Sequence, residues 1–270
     1  MTSINDNINN GKLFYITSVK SIVIKHLLET IKPFIKETNF LFTPQGIRFC
    51  TKDKSDSFIT QVELNAESFE YYYCKDSHVI GLDTVLFFKA IKSTAKDDTI
   101  TFYVNENDEL HLHIELRNSI QGKTKTQSLP LINLNNRIPR IQEMEYDYTC
   151  SLSTTEFQTI VKDFHLIDAR DIEVSFIQKQ LSLKSLDGAS ELLFLLEEKN
   201  DAKSIVKFEK HASHIVQGIF NNSHLLNFIK ASHLCYKMKI MMKNDIPLIL
   251  EYYIADLGTL QFSLFPKIED

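Results

Sequence analysis

The sequence predicts an α+β fold built from two similar halves, and three observations carry that prediction. The chain has 270 residues, 43% hydrophobic and 24% charged, which is enough core for two globular domains of about 100 to 150 residues each. Internal similarity appears when residues 83–116 are slid along the chain by about 138 positions. Ile91-Lys92 then falls over Ile229-Lys230, TITFYV over KMKIMM, NEND over KNDI and LHLHIEL over LILEYYI, without a gap. The order of parts is the third observation: an amphipathic helix, a strand, a polar turn and an alternating strand, twice over.

In chain order, the first helix holds Lys25 and Lys32 and precedes the strand pair NFLFTPQGIRFC. A second helix starts at Asp83, an N-cap carboxylate before an apolar stripe of Val85, Phe88 and Ile91. In the strand that follows its hairpin turn, Leu110, Leu112, Ile114 and Leu116 alternate with His111, His113 and Glu115, so one face is expected to be buried and the other wet. The three polar residues could be metal ligands, but alternation alone accounts for them and no further ligand joins them. SLPLINLNNRIPRIQEMEYDY, with Pro130 and Pro139, reads as a linker whose Leu131, Ile138 and Ile141 lie against something. A third helix with Lys162 precedes DIEVSFIQKQLSLKS, and a fourth carries Lys230. The expected division is a flexible extension over 1–12, a first domain over 13–131, a connecting loop over 132–148 and a second domain over 149–270.

Several function classes are disfavoured. No run approaches the roughly 20 apolar residues that span a bilayer, and MTSINDNINNGK lacks the apolar core of a signal peptide, so an intracellular, non-membrane protein is expected. Cys50, Cys74, Cys150 and Cys235 are scattered without metal-ligand spacing and are expected to be reduced. GxGxxG, HExxH and GxSxG are absent. Gly122-Lys123-Thr124 resembles the end of a phosphate loop, but the first glycine of that motif would fall at Arg117. No catalytic set, metal site or cofactor is predicted.

Lys and Arg number 30 against 35 Asp and Glu, a net charge of −5, so any basic surface must be local. Lys89, Lys92 and Lys96 fall at i, i+3 and i+7, which predicts one cationic helix face. Lys25 and Lys32 repeat the device with Glu29 between them, and Lys162 and Lys230 stand on the corresponding helices of the second half, with His165 and His233 nearby. Such repetition in an acidic chain favours a segregated surface for phosphates.

DIPLILEYYIADLGTLQFSLFPKIED at the C-terminus closely resembles the final segment of proliferating cell nuclear antigen, the eukaryotic DNA sliding clamp family. LLETIKPFI, Gly46-Ile47-Arg48-Phe49, Tyr73-Cys74, GLDTVLFFKAIK and EYDYTC extend the likeness from about Leu13 to the end of the chain. The resemblance implies two similar clamp domains, inner helices and outer antiparallel sheets, and three subunits closing head to tail into a ring. It places Lys25, Lys32, Lys89, Lys92, Lys162 and Lys230 on the DNA-facing side, with Ser223 where the family has an arginine. Lys125 and Gln127 on one edge strand, and Leu192, Leu193 and Phe194 on another, would form the subunit interface. Partner peptides would dock against Ile59, Ile138, Pro139, Ile141, Tyr148, Pro247, Leu264 and Pro266. Asp56 and Ser57 stand where the family has a histidine and an apolar residue, and Phe265 replaces a small one.

The resemblance thus implies a non-enzymatic polymerase processivity factor with duplex DNA, its own copies, a polymerase, a clamp loader and other peptide-bearing proteins as partners. It would act in the nucleus, or in a viral replication compartment if virus-encoded. A subunit of a heterotrimeric checkpoint clamp or a non-ring clamp is the neighbouring alternative. A ligand-binding or enzymatic duplicated α+β protein is the alternative from another class, and a tightly bound metal or metabolite would favour it.

Overall fold

A computed structural model describes residues 9–135, 139, 144–199 and 204–267. The chain separates into two compact units, the first comprising Met1–Thr51, Gln61–Arg140 and Ile254–Thr259, the second Lys52–Thr60, Ile141–Tyr253 and Leu260–Asp270.

In unit one, β1 (Lys12–Ser18) leads into helix α1 (Ser21–Ile31), and the hairpin β2 (Glu37–Thr43) and β3 (Gly46–Lys52) follows. After β4 (Phe58–Asn65) and β5 (Tyr71–Cys74), β6 (His78–Asp83) leads into α2 (Thr84–Ile91), and β7 (Asp98–Asn105) with β8 (Asp108–Asn118) follows. β9 (Lys123–Pro130) completes a five-stranded antiparallel sheet in the order β5-β1-β7-β8-β9. Ile100, Phe102 and Val104 on β7, and Leu112, Ile114 and Leu116 on β8, point inward from it. Phe14 of β1 stacks on Phe42 of β2 at 4.2 Å between ring centroids, so the two sheet faces close on an aromatic contact. Helix α1 buries Ile24, Leu27, Leu28 and Ile31 at i, i+3, i+4 and i+7, the spacing of a core-facing stripe.

Unit two repeats the plan. β10 (Tyr148–Ser153) leads into α3 (Thr154–Leu166), followed by β11 (Asp171–Ile177) and β12 (Gln180–Ser185). After β13 (Leu193–Glu197) and β14 (Val206–Lys210), β15 (Val216–Asn221) leads into α4 (Asn222–Phe228) and a 3₁₀ turn over Ile229–His233. β16 (Lys237–Met242), β17 (Leu248–Ile254) and β18 (Gly258–Leu264) end the chain's regular structure. One sheet of this unit runs β13-β12-β11-β15.

Each helix therefore grows directly from a strand, and three have a side-chain cap at the junction. Asp83 accepts from the backbone N–H groups of Val85 and Leu86 at 2.8 and 2.9 Å, Ser153 caps α3 and Asn221 caps α4. The first residue of each capped helix then reaches the carbonyl that precedes a strand of the other helix-plus-strands module. Thr84 N donates to Lys36 O at 2.9 Å, Thr154 N to Tyr236 O at 3.0 Å and Asn222 N to Arg170 O at 2.8 Å.

Two expectations need correction. Leu110 is 72% exposed, because a register shift between Tyr103 and Asn105 breaks the alternation near the hairpin turn. Lys96 is not on a helix: α2 ends at Ile91, and Thr94 N closes a turn onto Ile91 O. His111 and His113, for their part, both contact Asp108, at 2.8 and 3.3 Å, and His113 stacks on Tyr103.

Within the terminal segment, the turn Ile254-Ala255-Asp256-Leu257-Gly258 is fixed by its backbone and its contacts. Ala255 takes a positive φ of 49°, Leu257 O receives Asn65 N at 2.9 Å, and Asp256 pairs with Lys20 at 2.8 Å. A Cβ at Gly258 would lie 1.9 Å from Glu63 O, so only glycine permits this approach. Gly258→Ala is expected to lower unfolding stability by about 2 kcal/mol or more, read from the urea midpoint at unchanged m-value.

Candidate nucleic-acid interface and docking surfaces

In unit one, α1 and α2 pack against each other; of the four predicted lysines Lys25 and Lys89 lie on this pair, and Lys32 and Lys92 are the C-cap residues of α1 and α2. Apolar residues occupy the buried stripes, so the lysines fall on the remaining faces. Lys89 and Lys92 are exposed, while Lys25 and Lys32 are half-buried. Lys25 Nζ donates to Thr94 O at 3.3 Å, just beyond α2. Lys32 Nζ sits 3.3 Å from the centroid of the Phe88 ring, a cation–π contact that fixes the side chain across the helix pair. Two ammonium groups are thereby held and two extend into solvent.

Unit two presents fewer cations. Lys162 is exposed on α3. Lys230 lies in the 3₁₀ turn after α4, where its Nζ donates to Asn227 Oδ1 at 2.9 Å. His165 is exposed in the last turn of α3. Ser223, an exposed residue, spends its hydroxyl on Asn221 Oδ1 at 2.6 Å.

The residues expected at an assembly contact lie on two terminal strands, β9 in unit one and β13 in unit two, with Leu192 just ahead of β13. A terminal strand leaves a row of backbone N–H and C=O groups open to pairing. Leu193 and Leu195 point outward, 53% and 54% exposed, whereas Phe194 turns inward and meets the Phe164 ring edge-on at 5.6 Å. Leu192 N and O are bonded to Ser185. The period of two, counted from Leu193, puts Leu195 on the same outward side. Gln127 is half-buried. Lys125 has a different occupation: its Nζ donates to Ala90 O at 2.7 Å and Ser93 Oγ at 3.3 Å, capping the C-terminus of α2.

The peptide-pocket residues divide. Ile138 and Ile141 lie outside the described residues, and Pro139 is half-buried in unit one. Tyr148 and Leu264 are core: Tyr148 has no exposed surface and Leu264 only 1%. The Tyr148 hydroxyl donates toward the carbonyls of Ala212 and His214, accepts from Gln178 N, and its ring stacks on Phe176. A buried hydroxyl needs such partners, so Tyr148 fixes the interior instead of lining a groove. Ile59, Pro247 and Pro266 are half-buried. Pro266 borders a cavity of about 560 Å³ that Asp56, Ser57 and Phe265 also line, joined by Asn221, His224, Asp245 and Lys267. Those last four come from three separate turns, so their convergence is not visible along the sequence.

Among the described residues no group of three or more His, Cys, Asp and Glu could hold a metal ion. Burial pushes the Cys50 and Cys74 thiols up to about 11, far from nucleophile behaviour. Lys125→Met is expected to cost up to about 1 kcal/mol of unfolding stability by removing the α2 cap. That loss should persist at protein concentrations too low for self-association, which a urea titration across a dilution series would read.

Comparison with known proteins gives the family of both halves. Residues 14–137 match the model of the N-terminal domain of proliferating cell nuclear antigen, and residues 140–267 match that of its C-terminal domain. A probable DNA polymerase sliding clamp of Paramecium bursaria Chlorella virus 1 is 26% identical over 96% of this chain and 98% of its own. Proliferating cell nuclear antigen of Dictyostelium discoideum is 26% identical over 95% and 100% of the respective chains, and that of Chaetomium thermophilum 26% over 92% and 95%. Both domain models are satisfied in order and nearly end to end, and the chain belongs to the proliferating cell nuclear antigen family.

Proposed function

We propose that this chain is a DNA sliding clamp, a non-catalytic processivity factor that tethers a DNA polymerase to duplex DNA. The observation that carries the reading is the pair of lysine-bearing helices in a chain whose two halves match the two domains of the clamp family. Exposed ammonium groups on long flexible stems attract phosphates without reading bases. That chemistry suits a protein that must hold DNA and still move along it.

Lys25, Lys32, Lys89, Lys92, Lys162 and Lys230 are the residues assigned to DNA. Self-association into a homotrimer would pair β9 of one copy with β13 of the next, a heterologous contact that closes at three subunits. Charge supports the pairing: β9 carries Lys123, and β13 ends at Glu197, with Glu191 two residues ahead of its start. The outward Leu193 and Leu195 would be covered in the same contact, which removes an aggregation-prone edge. A clamp loader would open the ring, and polymerase and other replication and repair proteins would dock through short peptides, in a nucleus or a viral replication compartment.

Light scattering across a concentration series is expected to give a mass near three chains; a persistent monomer overturns the self-sufficient ring. Lys89→Glu with Lys92→Glu should reduce polymerase stimulation on primed circular DNA by about tenfold or more while leaving that mass unchanged. Raising the salt should weaken the wild type's DNA contact more steeply than the double variant's. Equal stimulation by both proteins would remove the helix assignment.

A further inference from the structure

The cavity beside Pro266 has a chemistry of its own. Four turns of unit two build it: Asp56 and Ser57 before β4, Asn221 and His224 at the start of α4, Asp245 between β16 and β17, and Phe265 to Lys267 after β18. Its frame is bonded through the backbone, with Phe265 N on Ser57 O at 3.0 Å and Lys267 N on Ile219 O at 2.8 Å. The His224 ring lies 5.2 Å from that of Phe58, which is fully packed against Phe228. The walls are thus preformed, part aromatic, and about 560 Å³ in extent, room for one or two side chains.

The charges of this cavity do not cancel. Lys267, its one lysine, gives its ammonium to Asp171. Burial lowers the pKa of His224, so the imidazole is neutral at neutral pH and supplies no positive charge. Asp56 meets Lys52 only across 3.5 Å, with 74% of the Asp56 side chain exposed, an ion pair of little strength. Asp245 is exposed at its own turn. Two carboxylates therefore line a partly aromatic cavity, Asp56 weakly paired and Asp245 in no ion pair among the described residues.

We propose that this cavity accepts an arginine or lysine side chain of an extended partner peptide, its stem laid along Phe265 and Pro266 and its charge set between Asp56 and Asp245. The inference rests on the reading of the chain as a clamp that docks partner peptides, and it names the chemistry that one docking position selects. Arginine fits best, because a planar guanidinium can lie on an aromatic face and meet carboxylates at its edge.

The test uses the full chain and three synthetic probes: the amides of acetyl-Arg-Phe-Phe, acetyl-Gln-Phe-Phe and acetyl-Glu-Phe-Phe, titrated while backbone amide shifts are followed by NMR. The Arg tripeptide is expected to bind about tenfold more tightly than the Gln tripeptide, and the Glu tripeptide most weakly. Shifts should centre on Ser57, His224, Asp245 and Lys267. Asp56→Asn with Asp245→Asn should abolish the Arg preference and leave the Gln tripeptide unchanged. Both aspartates have positive φ, 54° and 64°, a conformation asparagine tolerates, so the variant keeps its turns. Equal binding of the three peptides, absence of binding, or shifts outside the cavity overturns the proposal. Polymerase stimulation by the same preparation separates the two readings. Stimulation without Arg preference removes only the cavity assignment, and Arg preference without stimulation removes only the clamp.

Discussion

Within each unit, the bond from the start of a helix to the carbonyl ahead of a strand in the sister module is the constraint on which the surface depends. Thr84 and Thr154 make it with the backbone N–H and add their buried hydroxyls, Thr84 toward Ile35 O and Thr154 toward Cys235 O. An unpaired group at such a depth would cost about 1 to 3 kcal/mol, so the helix cannot slide or turn without losing its register on the strand. The caps take further donors of the same turns, Asp83 the N–H groups of Val85 and Leu86, Ser153 that of Glu156 and Asn221 that of Ser223.

Once the helix axes are fixed, the apolar stripe decides the rest. Ile24, Leu27, Leu28 and Ile31 of α1, and Phe87, Phe88 and Ile91 of α2, are committed to the interior. The lysines have only the opposite side left. Their division into held and extended groups follows from local chemistry: Lys32 finds the Phe88 ring and Lys25 a free carbonyl, while Lys89 and Lys92 meet solvent. Basic residues that keep their stems ordered lose less entropy on meeting a phosphate, and mobile ones can follow it.

The same logic separates edge residues that can bind from those already employed. Lys125 carries charge on an exposed edge strand, yet its ammonium closes the last turn of α2. On β13 the alternation of side chains sends Leu193 and Leu195 outward and Phe194 in. A residue's place on an edge therefore does not settle its role; the direction of the side chain does.

Much of this was legible in the sequence because it is local. Periodicity located the strands KMKIMM and LILEYYI, the carboxylate at Asp83 marked a helix start, and the slide by about 138 residues exposed the duplication. The family was legible in the terminal segment, whose Gly258 is required by an approach to Glu63 O that no side chain would allow. What the sequence could not determine is what depends on partners distant along the chain. Tyr148 lies in the core because its hydroxyl finds Ala212 and His214, and Leu110 is exposed because its own strand bulges where its register against β7 shifts. The acidic cavity exists only where four turns converge, each unremarkable alone. Spacing along a chain specifies which side of a helix or strand a residue occupies, and tertiary packing alone decides what that side meets.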